Sequence, residues 1–214
     1  MKMRWLLTVG AIFAGNLVWA QALGIGGGGA LAKMQEKISP VQEYSVTMVM
    51  DVAGQTVNTK MFQLGKKVRT EVNHMGMQAI TIVDPEADDG KGVVYTLMPM
   101  MKTYVKMPIP AEAASQTADD NLDFKIDELG KEDVDGVSCD KRRVTVTVDG
   151  KELSMTVWTS PKAKDMPVKM EMTEPMKSTI LYKDYDFTKP AASLFTLPAD
   201  YTAMDLGGMM PRQR

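Results

Sequence analysis

One cysteine and one histidine are all that this 214-residue chain contains of either residue. A lone Cys139 rules out an intramolecular disulfide even in an oxidising compartment, so the fold must rest on its apolar core. A lone His74 limits catalysis in the same way. A Ser/His or Cys/His nucleophile would need His74 to approach Cys139, and neither sits in a recognisable nucleophile motif, so the protein is not expected to be an enzyme. Basic runs are also missing. The formal net charge is −2, and Lys66-Lys67 and Lys141-Arg142-Arg143 are short clusters of the kind found on solvated strand faces, so nucleic acid is not an expected partner. Asp133 to Gly136 and Asp88-Asp89-Gly90 lack the remaining oxygen ligands of a calcium loop and read as Asp-Gly turns. Gly26 to Gly29 has neither the preceding strand nor the following Lys-Ser/Thr of a phosphate loop. No cofactor is expected. Phenylalanine is scarce too, with 5 against 20 methionines, and that imbalance is the main positive feature of the composition.

The chain opens with Lys2 and Arg4 ahead of an apolar run from Trp5 to Trp19, followed by small residues that allow cleavage after Ala20 or Ala22. Residues 1–22 therefore read as a secretory signal peptide, shorter in its apolar run than the ~20 residues of a membrane span. The mature protein is expected in the periplasm, not as an integral membrane protein. No cysteine follows the run to take a lipid. Residues 23–30 are a flexible glycine-rich lead-in, 31–204 one domain and 205–214 a flexible tail.

Leu31, Met34 and Ile38 lie at helical spacing before Pro40, and from there the period changes to two. Strands are predicted over Tyr44 to Val52, Thr56 to Leu64, Val68 to Val72, Gln78 to Val83, Val93 to Met98 and Thr103 to Met107. Pro108 to Ala118 breaks the pattern as a crossover or gate. Strands resume over Leu122 to Leu129, Val137 to Val148, Glu152 to Thr159, Val168 to Thr173 and Ser178 to Phe187. The fold class is mainly β within α+β: a single large, curved antiparallel sheet with a few short helices over its apolar face.

Methionine is unbranched and polarizable, so a sheet face built from it adapts to ligands of irregular shape. The candidate ligand-binding residues are Met48, Met50, Met61, Phe62, Tyr95, Met98, Met100, Met101, Tyr104, Met107, Met155, Trp158, Met170 and Met172, in strands whose alternation sends many of them to one face. Each read alone is ordinary core. Together they suggest an apolar pocket for a lipid, an acyl chain or another hydrophobic ligand. One alternative is a sensor or interaction module that docks a hydrophobic segment of an envelope partner. Another is a Cu(I) protein, because His74, Met75 and Met77 place an imidazole and two soft thioethers within one turn.

Several short motifs fall in a telling order: the opening helix before YSVTMVM, Asp84-Pro85 ahead of Val94-Tyr95, Lys102-Thr103-Tyr104, Gly136-Val137-Ser138-Cys139 before a long strand, and the closing SLFTLPADY from Ser193 to Tyr201. In that order the chain resembles the periplasmic lipoprotein carriers and receptors of the LolA/LolB type, over most of its length after the signal peptide. Asp200 stands where the closing motif more usually has glycine. The resemblance implies an incomplete β-barrel whose concave face is capped by helices and holds acyl chains.

Overall fold

The computed structural model of the protein describes residues 38–52, 55–74, 76–109, 123–148, 151–172 and 177–204. The signal peptide, the glycine-rich lead-in, the helix before Ile38, Met75, the gate beyond Ile109 and the tail from residue 205 lie outside the described residues.

Twelve strands form one sheet: β1 (Glu43–Val52), β2 (Gln55–Leu64), β3 (Lys67–His74), β4 (Met77–Asp84), β5 (Val93–Met98), β6 (Thr103–Pro108), β7 (Asp123–Val134), β8 (Val137–Val148), β9 (Lys151–Ser160), β10 (Met166–Met172), β11 (Ser178–Asp186) and β12 (Thr202–Ala203). Their spatial order is β12-β6-β5-β4-β3-β2-β1-β11-β10-β9-β8-β7. Two antiparallel meanders are thus joined edge to edge where β1 pairs with β11. Every pairing is antiparallel except the last, in which Thr202 and Ala203 lie parallel to Thr103 and Tyr104. The sheet is large, open and curved, with few and short helical turns.

Hairpins fall where turn chemistry demands them. Asp135 and Gly136 both adopt positive φ, 50° and 76°, the backbone of the tight turn that matches strand twist, and they join β7 to β8 directly. Gly92, at φ 76°, is required for a second reason: a Cβ there would lie 2.6 Å from the Ile109 side chain. Asp84 ends β4 by accepting the Glu86 backbone N–H (3.1 Å) and the Lys67 ammonium (2.6 Å), so Asp84-Pro85 works as a turn device.

Opposed residues in the register share a face, and the sheet buries apolar groups on both faces. The first face carries Tyr44, Val46, Met48 and Met50 of β1, Met61 of β2, Ile180 and Tyr182 of β11, Met170 of β10, Met155 and Val157 of β9, and Val144 and Val146 of β8. Ile38, Val41 and Ala163 join this cluster. The second face carries Ile80, Ile82 and Leu97 with Phe62, Leu64, Tyr95 and Tyr104. It is covered by the chain's own C-terminal segment, whose 3-10 turn Ala192–Phe195 supplies Leu194 and Phe195 and whose continuation supplies Leu197 and Tyr201.

Candidate binding face

The first face owes its chemistry to β1 and the strands beside it. Met48 opposes Tyr182 on one side and Thr59 on the other, Met50 opposes Ile180, which opposes Met170, and Met172 opposes Met155 directly. Met48, Met50, Met61, Met155 and Met170 are buried and Met172 is half-buried. The six methionines of this group therefore form a thioether-rich field over β2, β1, β10 and β9, with Ile180 and Tyr182 of β11 between its two halves.

A tyrosine rank borders the field. Tyr44 and Tyr185 approach with centroids 5.7 Å apart, Tyr182 stacks on Tyr185 at 6.4 Å, and Tyr185 stacks on Phe187 at 5.4 Å. Period-two alternation would send Tyr185 to the opposite face. A bulge prevents this: between Thr47↔Lys183 and Ser45↔Asp186 the β11 strand holds one extra residue, and Asp184 takes φ 54°. The phenol of Tyr182 donates to the Met170 sulfur (2.9 Å), that of Tyr44 to Gln63 Oε1 (3.1 Å) and that of Tyr185 to the Pro167 carbonyl (2.7 Å). Burial pushes all three phenols above their ordinary range, with the neighbouring rings adding to the effect at Tyr44 and Tyr185.

The other sequence-predicted residues are distributed differently. Met98 and Met107 share the first face but lie four and five strands from β1, about 19 and 24 Å along the sheet at normal strand spacing. Phe62, Tyr95 and Tyr104 are on the second face, where Tyr95 and Tyr104 meet edge to face at 6.1 Å beneath the C-terminal segment. Trp158 also faces away from the methionines. It is buried between two lysines, with Lys169 Nζ 4.4 Å and Lys141 Nζ 5.0 Å from its ring, an arrangement that the Lys141↔Trp158↔Lys169 register imposes. Lys141 in turn holds the Glu132 carboxyl below its usual range. Met100 and Met101 stand on the hairpin tip between β5 and β6, 74% and 52% exposed.

The sequence reading missed Tyr44, Tyr182, Tyr185 and Phe187. Tyr44 was visible in the β1 alternation, whereas the β11 bulge hid Tyr185 and Phe187. Three hydroxyls were missed as well: Thr59 Oγ1 and Ser178 Oγ within the methionine field, and Thr103 Oγ1 opposite Met98 at the far side of the same face, are buried with no hydrogen-bond partner.

Residues 43–179 match a family described as a domain of unknown function, DUF4412. The chain belongs to the DUF4412 family. No curated protein matches it in sequence. Among solved structures, it is similar to LprF from Mycobacterium bovis, at 15% identity and TM-score 0.40, covering 74% of this chain and 90% of that one. It is similar to the lipoprotein LppX from Mycobacterium tuberculosis, at 11% identity and TM-score 0.42, covering 69% and 89%. A third is an outer membrane lipoprotein-sorting protein domain from Vibrio parahaemolyticus, at 13% identity and TM-score 0.36, covering 77% and 94%.

Of the copper alternative in this DUF4412 member, Met75 lies outside the described residues, while His74 and Met77 are paired at the β3–β4 turn with Met77 half-buried. Cys139 is buried, its thiol donating to the Val137 carbonyl (3.1 Å), and burial pushes its pKa up, away from the thiolate that reactivity requires. Among the described residues, no helix is long and apolar enough to cross a membrane.

Proposed function

We propose that this protein binds and shelters a lipid, acyl chain or similar apolar group on the methionine face of β1, β2 and β9–β11, acting by binding and not by catalysis. The observation that carries the reading is the concentration of six candidate methionines on that one face, among valines, Ile180 and tyrosines, while the core cluster of the second face holds no methionine. A core that needed only packing would be served by Leu, Ile and Phe. Thioethers add adaptability, which matters where the contact partner varies. Apolar burial drives the binding, at ~0.8 kcal/mol per methylene removed from water. Residues 1–22 support export to the periplasm, where acyl chains must be shielded in transit.

Methionine methyl NMR tests this. With 13C-methyl methionine, addition of a pyrene-labelled fatty acyl methyl ester is expected to move the resonances of Met48, Met50, Met155, Met170 and Met172. Shifts confined to Met100 and Met101 would replace the carrier reading with partner docking at the hairpin tip, and no shifts at all would overturn it.

A further inference from the structure

Thr59 lies in the middle of the methionine field. Its cross-strand neighbours are Met48 and Val72, and its same-face neighbours along β2 are Val57 and Met61. The residue is 1% exposed and its hydroxyl has no hydrogen-bond partner. Ser178 repeats the arrangement two strands away, its buried, unpartnered hydroxyl opposite Met172 and one step along β11 from Ile180. A buried polar group without a partner is costly and uncommon, so each such hydroxyl needs a reason. Trapped water does not supply one. An ordered internal water takes about three polar partners, and around Thr59 the register offers methionine and valine. A hydroxyl of this kind is satisfied by an occupant that arrives with a hydrogen-bond acceptor.

We infer that the methionine face takes an ester-linked acyl lipid and that Thr59 and Ser178 donate hydrogen bonds to its ester carbonyls. This rests on the carrier reading above and narrows it. The chemistry favours esters because an ester carbonyl accepts without bringing a donor of its own, whereas an amide N–H or an ionised carboxylate would need further partners that this field lacks. A plain hydrocarbon would leave both hydroxyls orphaned. The two residues thereby act as specificity determinants within a surface that otherwise recognises only apolar bulk.

The test compares a pyrene-labelled diacylglycerol with its dialkyl ether analogue of equal chain length, titrated into the full mature chain and into the variants Thr59→Val and Ser178→Ala. The wild type is expected to bind the diester about threefold to tenfold more tightly than the diether, the worth of one well-placed hydrogen bond. Thr59→Val preserves shape. It should abolish or shrink that preference, leave diether affinity unchanged, and melt no lower than the wild type; Ser178→Ala should weaken the preference in the same way. Equal binding of both probes by the wild type, or a preference that survives in both variants, would overturn the hydroxyl assignment while leaving the carrier reading standing. Binding of neither probe would overturn both.

Discussion

The two faces of the sheet use different materials and are closed by different means. The second face is built from Ile80, Ile82, Leu97, Phe62, Tyr95 and Tyr104, and the chain seals it with Leu194, Phe195, Leu197 and Tyr201. Arg69 locks that seal, donating to the Leu194 carbonyl (2.8 Å) while its Nε lies 2.7 Å from Glu71. The first face adds methionines and tyrosines to its aliphatic residues, and its methionine field keeps two hydroxyls, of Thr59 and Ser178, with no partner among the described residues. A surface completed by its own polypeptide is a structural core. One left with adaptable side chains and unmet hydrogen bonds is suited to something that comes and goes.

If that division is right, damage to the second face should unfold the protein without altering what the folded fraction binds. Phe195→Ala is expected to cost about 3–5 kcal/mol in urea melts, with bound lipid per folded molecule unchanged. Arg69→Met should cost about 2 kcal/mol by the same assay, since it removes a charge-assisted bond to the Leu194 carbonyl and leaves Glu71 without its partner. Loss of bound lipid per folded molecule in either variant would break the comparison.

Alkaline pH probes the first face. Burial raises the Tyr44, Tyr182 and Tyr185 phenols above 10.0, so above about pH 10 the unfolded chain releases protons that the folded chain keeps. The unfolded state then binds fewer protons and stability falls as pH rises, by about 1.4 kcal/mol per pH unit for each tyrosine, while below about pH 9 these groups contribute no slope. Tyr185→Phe should make the alkaline slope shallower, as read from thermal melts between pH 9 and 11.

Smaller effects sharpen the contrast between packing and binding. Met170→Leu conserves volume but removes the sulfur that accepts the buried Tyr182 phenol, so it should cost about 1–3 kcal/mol and lower retention of a pyrene-labelled lipid. Met100→Lys, at the exposed hairpin tip, should leave stability within about 0.5 kcal/mol of wild type and leave retention unchanged.

Most of the sheet was legible from period-two alternation, although β4 and β5 bury residues on both faces. Val93 to Met98 and Val137 to Val148 match the observed strands end for end. The β11 bulge was not legible, since one inserted residue leaves composition untouched while reversing every face beyond it. Nor was β12, too short to show a period and paired in parallel through contacts remote in sequence. The candidate site was half legible. Met61 and Phe62 are neighbours in one strand and must point to opposite faces, so a list naming both joins two surfaces; Met100 and Met101 sit in a turn where alternation says nothing. Most motifs that carry the resemblance turn out to be frame: Asp84-Pro85 makes a turn, Gly136 a hairpin, and Ser193 to Tyr201 the seal over the second core. The exception is YSVTMVM, which runs through the methionine field as Tyr44 to Met50 of β1.

Native mass spectrometry of the mature protein purified from its own compartment, with organic extraction of whatever accompanies it, tests the central claim most directly. The account predicts one stoichiometric acyl lipid, released when Met50→Glu or Met170→Glu charges the methionine field and kept when Met100→Lys charges the hairpin tip. A bare protein, or a lipid retained undiminished by the field variants, would contradict it.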